Sequence, residues 1–172
     1  LELDGNTIVM VTSDNGGTPA SSNAPLRGFK QGILDGGIRV PTIIRWPGVY
    51  PAGKVSSQVG ILMDLSRTIV EAAGAGNAID PTRPFDGIDL TPILTGAQPE
   101  QARTLGWRRR EWNIGPQGFN SVWAEAYIKG PWKYIREFRE TPGYARSGVG
   151  PYPPRGYAEM LYNLVDNVHE DR

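Results

Sequence analysis

The sequence predicts an α/β protein in which a mostly parallel sheet with flanking helices is followed by a small antiparallel sheet. The β-branched run at residues 7–12 has no polar alternation, which is typical of a strand buried on both faces of a parallel sheet. Near the other end, alternating runs rich in tryptophan and tyrosine surround Lys129-Gly130-Pro131, which indicates an antiparallel hairpin. We therefore expect two parts, residues 1–100 and residues 101–172.

Composition narrows the class of partner. The 172 residues suffice for one domain with its own core, or for the tail of a larger one. Lys and Arg number 18 and so do Asp and Glu, so no net charge draws the chain to nucleic acid. No apolar run approaches the roughly 20 residues that span a bilayer. The chain has no cysteine, which excludes disulfides and thiolate metal sites from this stretch. Because it starts at Leu1, we expect a mature chain or an excerpt.

The remaining elements follow from periodicity and from turn residues. Helical spacing begins at Asp64, a candidate cap, and stops before Gly74. We predict an irregular loop over residues 18–29, a strand over 40–46 with Pro41 at its start, a helix over 64–73, a helical turn within 88–94, hairpin strands over 121–127 and 132–138, and an added strand over 160–165.

Asp14 and Asn15 follow the first strand and are the first candidate site residues. Ligand-bearing loops of open α/β sheets lie at the carboxyl ends of their strands. A carboxylate and an amide carbonyl are hard oxygen donors, suited to calcium or magnesium rather than to zinc. Gly16 and Gly17 let the backbone turn sharply and approach a ligand closely. Taken alone, the same Asp-Asn-Gly stretch is also typical of a simple turn.

Three blocks in order resemble the second half of the sulfatase family's catalytic domain. They are Thr-Ile-Val-Met-Val-Thr-Ser-Asp-Asn-Gly-Gly at residues 7–17, Leu-Arg-Gly-Phe-Lys at 26–30 and Asp-Gly-Gly-Ile-Arg-Val-Pro at 35–41. Further similarity lies at residues 46–48, 63–65, 86–90 and 161–164. The resemblance spans nearly the whole chain. It implies the C-terminal portion of an arylsulfatase-type member of the alkaline-phosphatase-like superfamily, with that superfamily's sheet in part.

The resemblance also implies roles for individual residues. Asp14 and Asn15 correspond to two ligands of a divalent cation, usually calcium, with magnesium also possible. Lys30 corresponds to a lysine that contacts the sulfate group and stabilises its charge. The family's nucleophile is a formylglycine made within a Cys/Ser-x-Pro-x-Arg motif, which is absent here. We therefore expect this nucleophile, and the other metal ligands, in a missing N-terminal half, and we expect the chain alone to be inactive.

The expected substrate is a sulfated small molecule or sugar, and two other functions stay open. One is a phosphomonoesterase or phosphonate hydrolase of the same superfamily, since the same metal–oxygen chemistry serves phosphate. The other is a non-catalytic module for binding or assembly. The chain departs from the family pattern at Phe29, where a second glycine is common, and at Asp35, where glutamate is common.

Several other residues invite a functional interpretation that we do not favour. Lys30 taken singly would be a solvated loop lysine. Asn23, in Ser-Asn-Ala-Pro-Leu-Arg, resembles the nucleophile motif by coincidence. Asp35 and Arg39 are expected to pair structurally, and His169 to be solvent-exposed. The basic run at residues 108–110 is expected at a strand edge, or at a rim that contacts an anionic substrate.

Overall fold

The computed structural model describes residues 3–115, 118–139 and 156–171. Among these residues, none of the helices is both long and apolar enough to span a membrane. In chain order the elements are a 3-10 turn at Asp4–Asn6, β1 at Val9–Thr12, α1 at Asp35–Ile38, β2 at Thr42–Arg45, α2 at Leu62–Ala72, a second 3-10 turn at Gly76–Ala78, α3 at Thr91–Thr95, β3 at Thr104–Gly115, β4 at Gly118–Lys129, β5 at Trp132–Arg139 and β6 at Gly156–Asn163.

Contacts divide the chain into two compact units. The first takes in Leu1–Thr12 and Thr42–Ala102, and the second takes in Ser13–Pro41 and Arg103–Arg172. The segment 13–41, which holds all three candidate site residues, thus groups with the C-terminal sheet. The assignment of residues 1–100 to one catalytic domain of a larger protein stays a prediction.

In the first unit, β1 and β2 form a two-stranded antiparallel sheet with Val11 opposite Ile43. The described residues contain no parallel pair of strands, so the predicted parallel sheet is not seen in them. Burial of β1 on both faces is also wrong for this chain, because Val9 and Val11 are 44% and 57% exposed. A strand with a continuous apolar run is buried only where other elements cover both of its faces. Among the described residues of this unit, no element covers the face of β1 that carries Val9 and Val11.

The helix α2 holds the segment 86–90 through buried polar side chains. Asp64 and Thr68 lie one turn apart on its buried face. The Asp64 carboxylate accepts hydrogen bonds from the N–H groups of Ile61 and Ile88, at 2.8 and 2.9 Å. The Thr68 hydroxyl accepts one from the Leu90 N–H at 2.9 Å. The predicted helix is confirmed, and Asp64 caps it from its third position.

In the second unit, β3, β4, β5 and β6 form an antiparallel sheet in that order. The predicted hairpin around Gly130 is confirmed, and so is the added strand β6. The basic run at residues 108–110 lies on the edge strand β3, as predicted. Arg108 there forms an ion pair at 2.8 Å with Glu125 on β4.

The core of the second unit lies between this sheet and the segment 13–41. Lys133, Ile135 and Glu137 alternate along β5 with buried side chains on one face. Two consecutive apolar residues of the segment, Ile33 and Leu34, join the core of that sheet. The cluster consists of Ile33, Leu34, Ala124, Ala126, Ile135 and Tyr162, flanked by Trp107, Met160 and Leu164.

Candidate active site

The Asp14 loop, residues 13–17, leaves the end of β1 and carries two of the predicted site residues. Asp14 is exposed and Asn15 is half-buried. The Ser13 hydroxyl donates a hydrogen bond to the backbone carbonyl of Asn15 at 2.8 Å. This bond closes the loop through the Asn15 backbone, and it leaves the side-chain oxygen of that residue unused.

The Lys30 turn, residues 29–32, presents the third predicted site residue. The Gly32 N–H donates to the Phe29 carbonyl at 2.8 Å, so that Lys30 and Gln31 are the two central residues. Gln31 has a φ of 73°, in the left-handed region that type II turns require at this position and that favours glycine. Lys30 itself is exposed. Such strained backbone beside an exposed cation is typical of functional loops.

Backbone hydrogen bonds hold the Asp14 loop and the Lys30 turn next to each other. The Lys30 N–H donates to the Gly17 carbonyl at 2.8 Å, and the Gly16 N–H donates to the Gly37 carbonyl at 2.9 Å. The packing is so close that a Cβ atom on Gly16 would lie 1.8 Å from the Gly36 carbonyl oxygen. Glycine is therefore required at position 16 because another backbone occupies the space of a side chain.

Asn23 ties the Asp14 loop to Gly28, which directly precedes the Lys30 turn, through its side chain. Its Oδ1 accepts a hydrogen bond from the Gly17 N–H at 2.8 Å. Its Nδ2 donates to the carbonyls of Gly17 and Gly28, at 3.2 and 3.0 Å. The residue that resembles a nucleophile position in the sequence thus uses its amide to fix the loop.

Below these loops lies a buried ionic cluster of Asp35, Lys133 and Glu170. The Lys133 ammonium is 2.6 Å from Asp35 Oδ1 and 2.7 Å from Glu170 Oε1, and its side chain is fully buried. Glu170 Oε2 accepts a hydrogen bond from the Asp35 N–H at 2.5 Å. Burial raises the pKa of the Glu170 carboxyl, while the Lys133 charge and the hydrogen bonds oppose that rise.

Two further contacts anchor the loops around this cluster. The Arg27 guanidinium donates to the Glu170 backbone carbonyl at 2.9 Å. Arg39 lies 3.6 Å from Asp35 Oδ2, so the predicted pairing of these two residues is confirmed. His169 is exposed, as predicted, and its Nδ1 is 2.6 Å from the Pro25 carbonyl oxygen.

The side chains of Asp14, Asn15 and Lys30 form no hydrogen bond or ion pair with the described residues. Hard oxygen donors and a free ammonium, carried by two loops that backbone hydrogen bonds join, match the chemistry of a divalent cation and an oxyanion. The donors are incomplete in number, because calcium takes about 6–8 oxygen ligands. Residues 3–115, 118–139 and 156–171 contain no group of three or more His, Cys, Asp or Glu able to hold a metal ion. A cation bound here would need further ligands from elsewhere.

Sequence reasoning missed the residues that support the site. Asn23 resembles a motif position only by coincidence, and Lys133 and Glu170 lie in none of the motif blocks. Lys133 carries a weak signal, since it occupies an inward position in the alternation of β5 where an apolar residue is expected. Glu170 carries none, because Asp35 and Arg27 lie more than a hundred positions away in the sequence and Lys133 lies on another element, β5.

Comparison with known proteins agrees with the three motif blocks at residues 7–17, 26–30 and 35–41, whereas the similarity predicted at 86–90 and 161–164 lies outside the family match. The sequence pattern of the Sulfatase family matches residues 1–75. The resemblance to the sulfatase family is therefore confirmed over residues 1–75.

Similar proteins include several sulfatases. The N-acetylgalactosamine-6-sulfatase of Canis lupus familiaris is 43% identical over 104 residues, which are 57% of this chain and 20% of that protein. The steryl-sulfatase of Rattus norvegicus is 40% identical over 106 residues, 56% of this chain and 18% of that protein. The arylsulfatase D of Homo sapiens is 36% identical over 110 residues, 58% of this chain and 18% of that protein. The chain thus covers about a fifth of the length of these relatives.

Proposed function

We propose that the intact protein hydrolyses sulfate monoesters and that this chain supplies two metal ligands and one sulfate-binding cation. The observation that supports this most is the pairing of the Asp14 loop with the Lys30 turn through the Lys30 N–H and the Gly17 carbonyl. Because these backbones are joined, Asp14, Asn15 and Lys30 belong to one site. All three side chains are left unused by the fold.

In this proposal, Asp14 and Asn15 hold a divalent cation, calcium by preference, through their side-chain oxygens. When bound, such a cation polarises the oxygens of the sulfate group. Lys30 contacts the sulfate and neutralises the negative charge that builds on oxygen as the S–O bond breaks. The exposed position of Lys30 at the tip of its turn leaves the ammonium accessible to a substrate.

The proposal places the formylglycine nucleophile and the remaining metal ligands in an N-terminal half of an alkaline-phosphatase-like domain, beyond this chain. On the two-stranded sheet, Val9, Val11 and Ile43 share one exposed apolar face. We expect that missing half to cover this face and to supply parallel neighbours for β1. The chain alone is then inactive, because it holds neither a nucleophile nor a full ligand set.

Turnover of aryl sulfate and aryl phosphate by the intact protein tests the function. We expect hydrolysis of the sulfate, and a fall of ~10² to 10³ in kcat for Lys30→Ala, similar to loss of an oxyanion-hole donor. Lys129→Ala is the matched control, since Lys129 is an exposed lysine on β4, outside the site. Preferential hydrolysis of the phosphate would favour the phosphomonoesterase alternative. No turnover of either ester would favour a non-catalytic module.

A further inference from the structure

Lys133 is an unusual residue for the middle of a small sheet. Lysine is almost never fully buried unless it is paired, and this side chain has 0% exposure. It lies on the same face of β5 as Ile135, within the apolar core. A methionine would fill this position without any loss of hydration of a charge, so the ammonium calls for a physical explanation.

The partners of Lys133 come from two distant parts of the chain. Asp35 begins α1, five residues after Lys30, and Glu170 lies near the C-terminus. The single ammonium contacts one carboxylate of each, at 2.6 and 2.7 Å. The Glu170 carboxylate also accepts a hydrogen bond from the backbone N–H of Asp35, so these two residues are linked directly. The contacts close into a ring that joins β5, the C-terminal segment and the segment following Lys30.

Hydrogen bonds connect this ring of contacts to the candidate site. The Gly36 N–H donates to the Arg27 carbonyl at 2.7 Å, and the Arg27 side chain donates to the Glu170 carbonyl at 2.9 Å. Gly37, two residues after Asp35, accepts the hydrogen bond from Gly16 in the Asp14 loop. Displacing Asp35 would therefore move the backbone on which both the Asp14 loop and the Lys30 turn rest.

A buried ion pair is weak grounds for stability, since its desolvation offsets much of its attraction. Its better-attested use is to specify one arrangement over others. Hydrophobic contacts of Ile33 and Leu34 hold the segment on the sheet, but such contacts are non-directional. The ionic cluster supplies directional contacts at the same place.

We propose that Asp35, Lys133 and Glu170 are positioning residues that fix the Lys30 turn and the Asp14 loop for sulfate ester hydrolysis. The inference rests on the proposed function of Lys30, and none of the three residues contacts substrate. Lys133 affects the position of these loops through Asp35, and Glu170 affects it through Asp35 and Lys133.

The test compares two variants of the intact protein by steady-state kinetics and by amide hydrogen exchange. Lys133→Met leaves two carboxylates buried without their cation and is expected to destabilise the fold. The triple variant Lys133→Met, Asp35→Asn, Glu170→Gln removes all three charges and keeps the side-chain volumes, so it is expected to fold. Lys129→Met, an exposed lysine on the neighbouring strand, is the control for loss of a lysine.

We expect the triple variant to melt near the wild-type temperature, yet to lose ~10- to 100-fold in kcat with a smaller change in KM, as misplacement by about 1 Å produces. The Lys30 and Gly36 amides should exchange faster, whereas amides of β4 and β5 should not change. Wild-type kcat and wild-type exchange at Lys30 and Gly36 in the triple variant would overturn the proposal. If the wild-type protein hydrolyses no sulfate ester, the proposed function fails, while the exchange rates still decide whether the cluster fixes the loops.

Discussion

The two sheets of this chain bury their apolar residues to very different extents. On the four-stranded sheet, Ala126 and Ile135 are fully buried, because Ile33 and Leu34 pack against them. On the two-stranded sheet, Ile43 is 65% exposed. Both sheets are built from residues of high β propensity, so the strands themselves do not explain the difference. An apolar strand is expected to pack against another element. Among the described residues, only the four-stranded sheet has such an element within its own unit.

The difference in burial between the two sheets bears on what supports the candidate site. The segment that covers the four-stranded sheet is the one that carries Asp14, Asn15 and Lys30. Its position is fixed by core packing, by the Asn23 amide and by the ionic cluster. The candidate site therefore rests on packing and hydrogen bonds within the second unit, whereas the two-stranded sheet has an exposed apolar face.

The largest effect on stability is expected for Leu34→Ala, in the covered region. Leu34 has 0% exposure, and removing a large core side chain costs about 2–5 kcal/mol from the lost transfer energy and the cavity. Urea unfolding followed by tryptophan fluorescence measures it, because four of the five tryptophans lie after residue 100. A loss below about 1 kcal/mol would contradict the burial of this segment on the sheet.

A smaller effect is expected for Gly16→Ala, in the Asp14 loop. The new Cβ would meet the Gly36 carbonyl oxygen at 1.8 Å, and such overpacking costs about 1–3 kcal/mol. Gly5→Ala is the matched control, since a Cβ there meets nothing within 4 Å. Equal unfolding free energies for the two variants would show that the Asp14 loop does not rest on the Gly36 backbone.

The smallest effect is expected for Ile43→Ser, on the uncovered sheet. In this chain the substitution should change the free energy of unfolding by no more than about 0.5 kcal/mol, as for exposed positions generally. In the intact protein the same substitution should cost more, about 1–3 kcal/mol, if the proposed missing half covers this face. Equal losses in the two settings would mean that nothing covers this face, and the proposed missing half would lose its support.

Much of the second unit could be predicted from local patterns. The alternating runs around Gly130 and the apolar run near residue 160 specify neighbouring antiparallel strands, which need only short-range signals. The helix over 64–73 was likewise predicted within two residues of its bounds. The burial of β1 was predicted wrongly, because a continuous apolar run indicates burial without specifying which elements cover the strand.

The candidate site was also predicted only in part, because local patterns do not show which distant residues meet. Asp14, Asn15 and Lys30 lie within motif blocks, so each block by itself identifies its own candidate residues. The contact between those blocks depends on Gly16 and Gly37 meeting, which no local pattern encodes. Helix α1 was not predicted, since its two glycines favour loops. Lys133 and Glu170 meet Asp35 only through the tertiary fold.

The central claim is that Asp14 and Asn15 hold a divalent cation beside Lys30. Calcium bound to the intact protein, measured by mass spectrometry after gel filtration, tests this most directly. Asp4→Ala, an exposed carboxylate in the first 3-10 turn, is the control and should keep its calcium. The account predicts that Asp14→Ala loses the bound calcium while it keeps its fold. A folded Asp14→Ala protein with unchanged calcium content would contradict it.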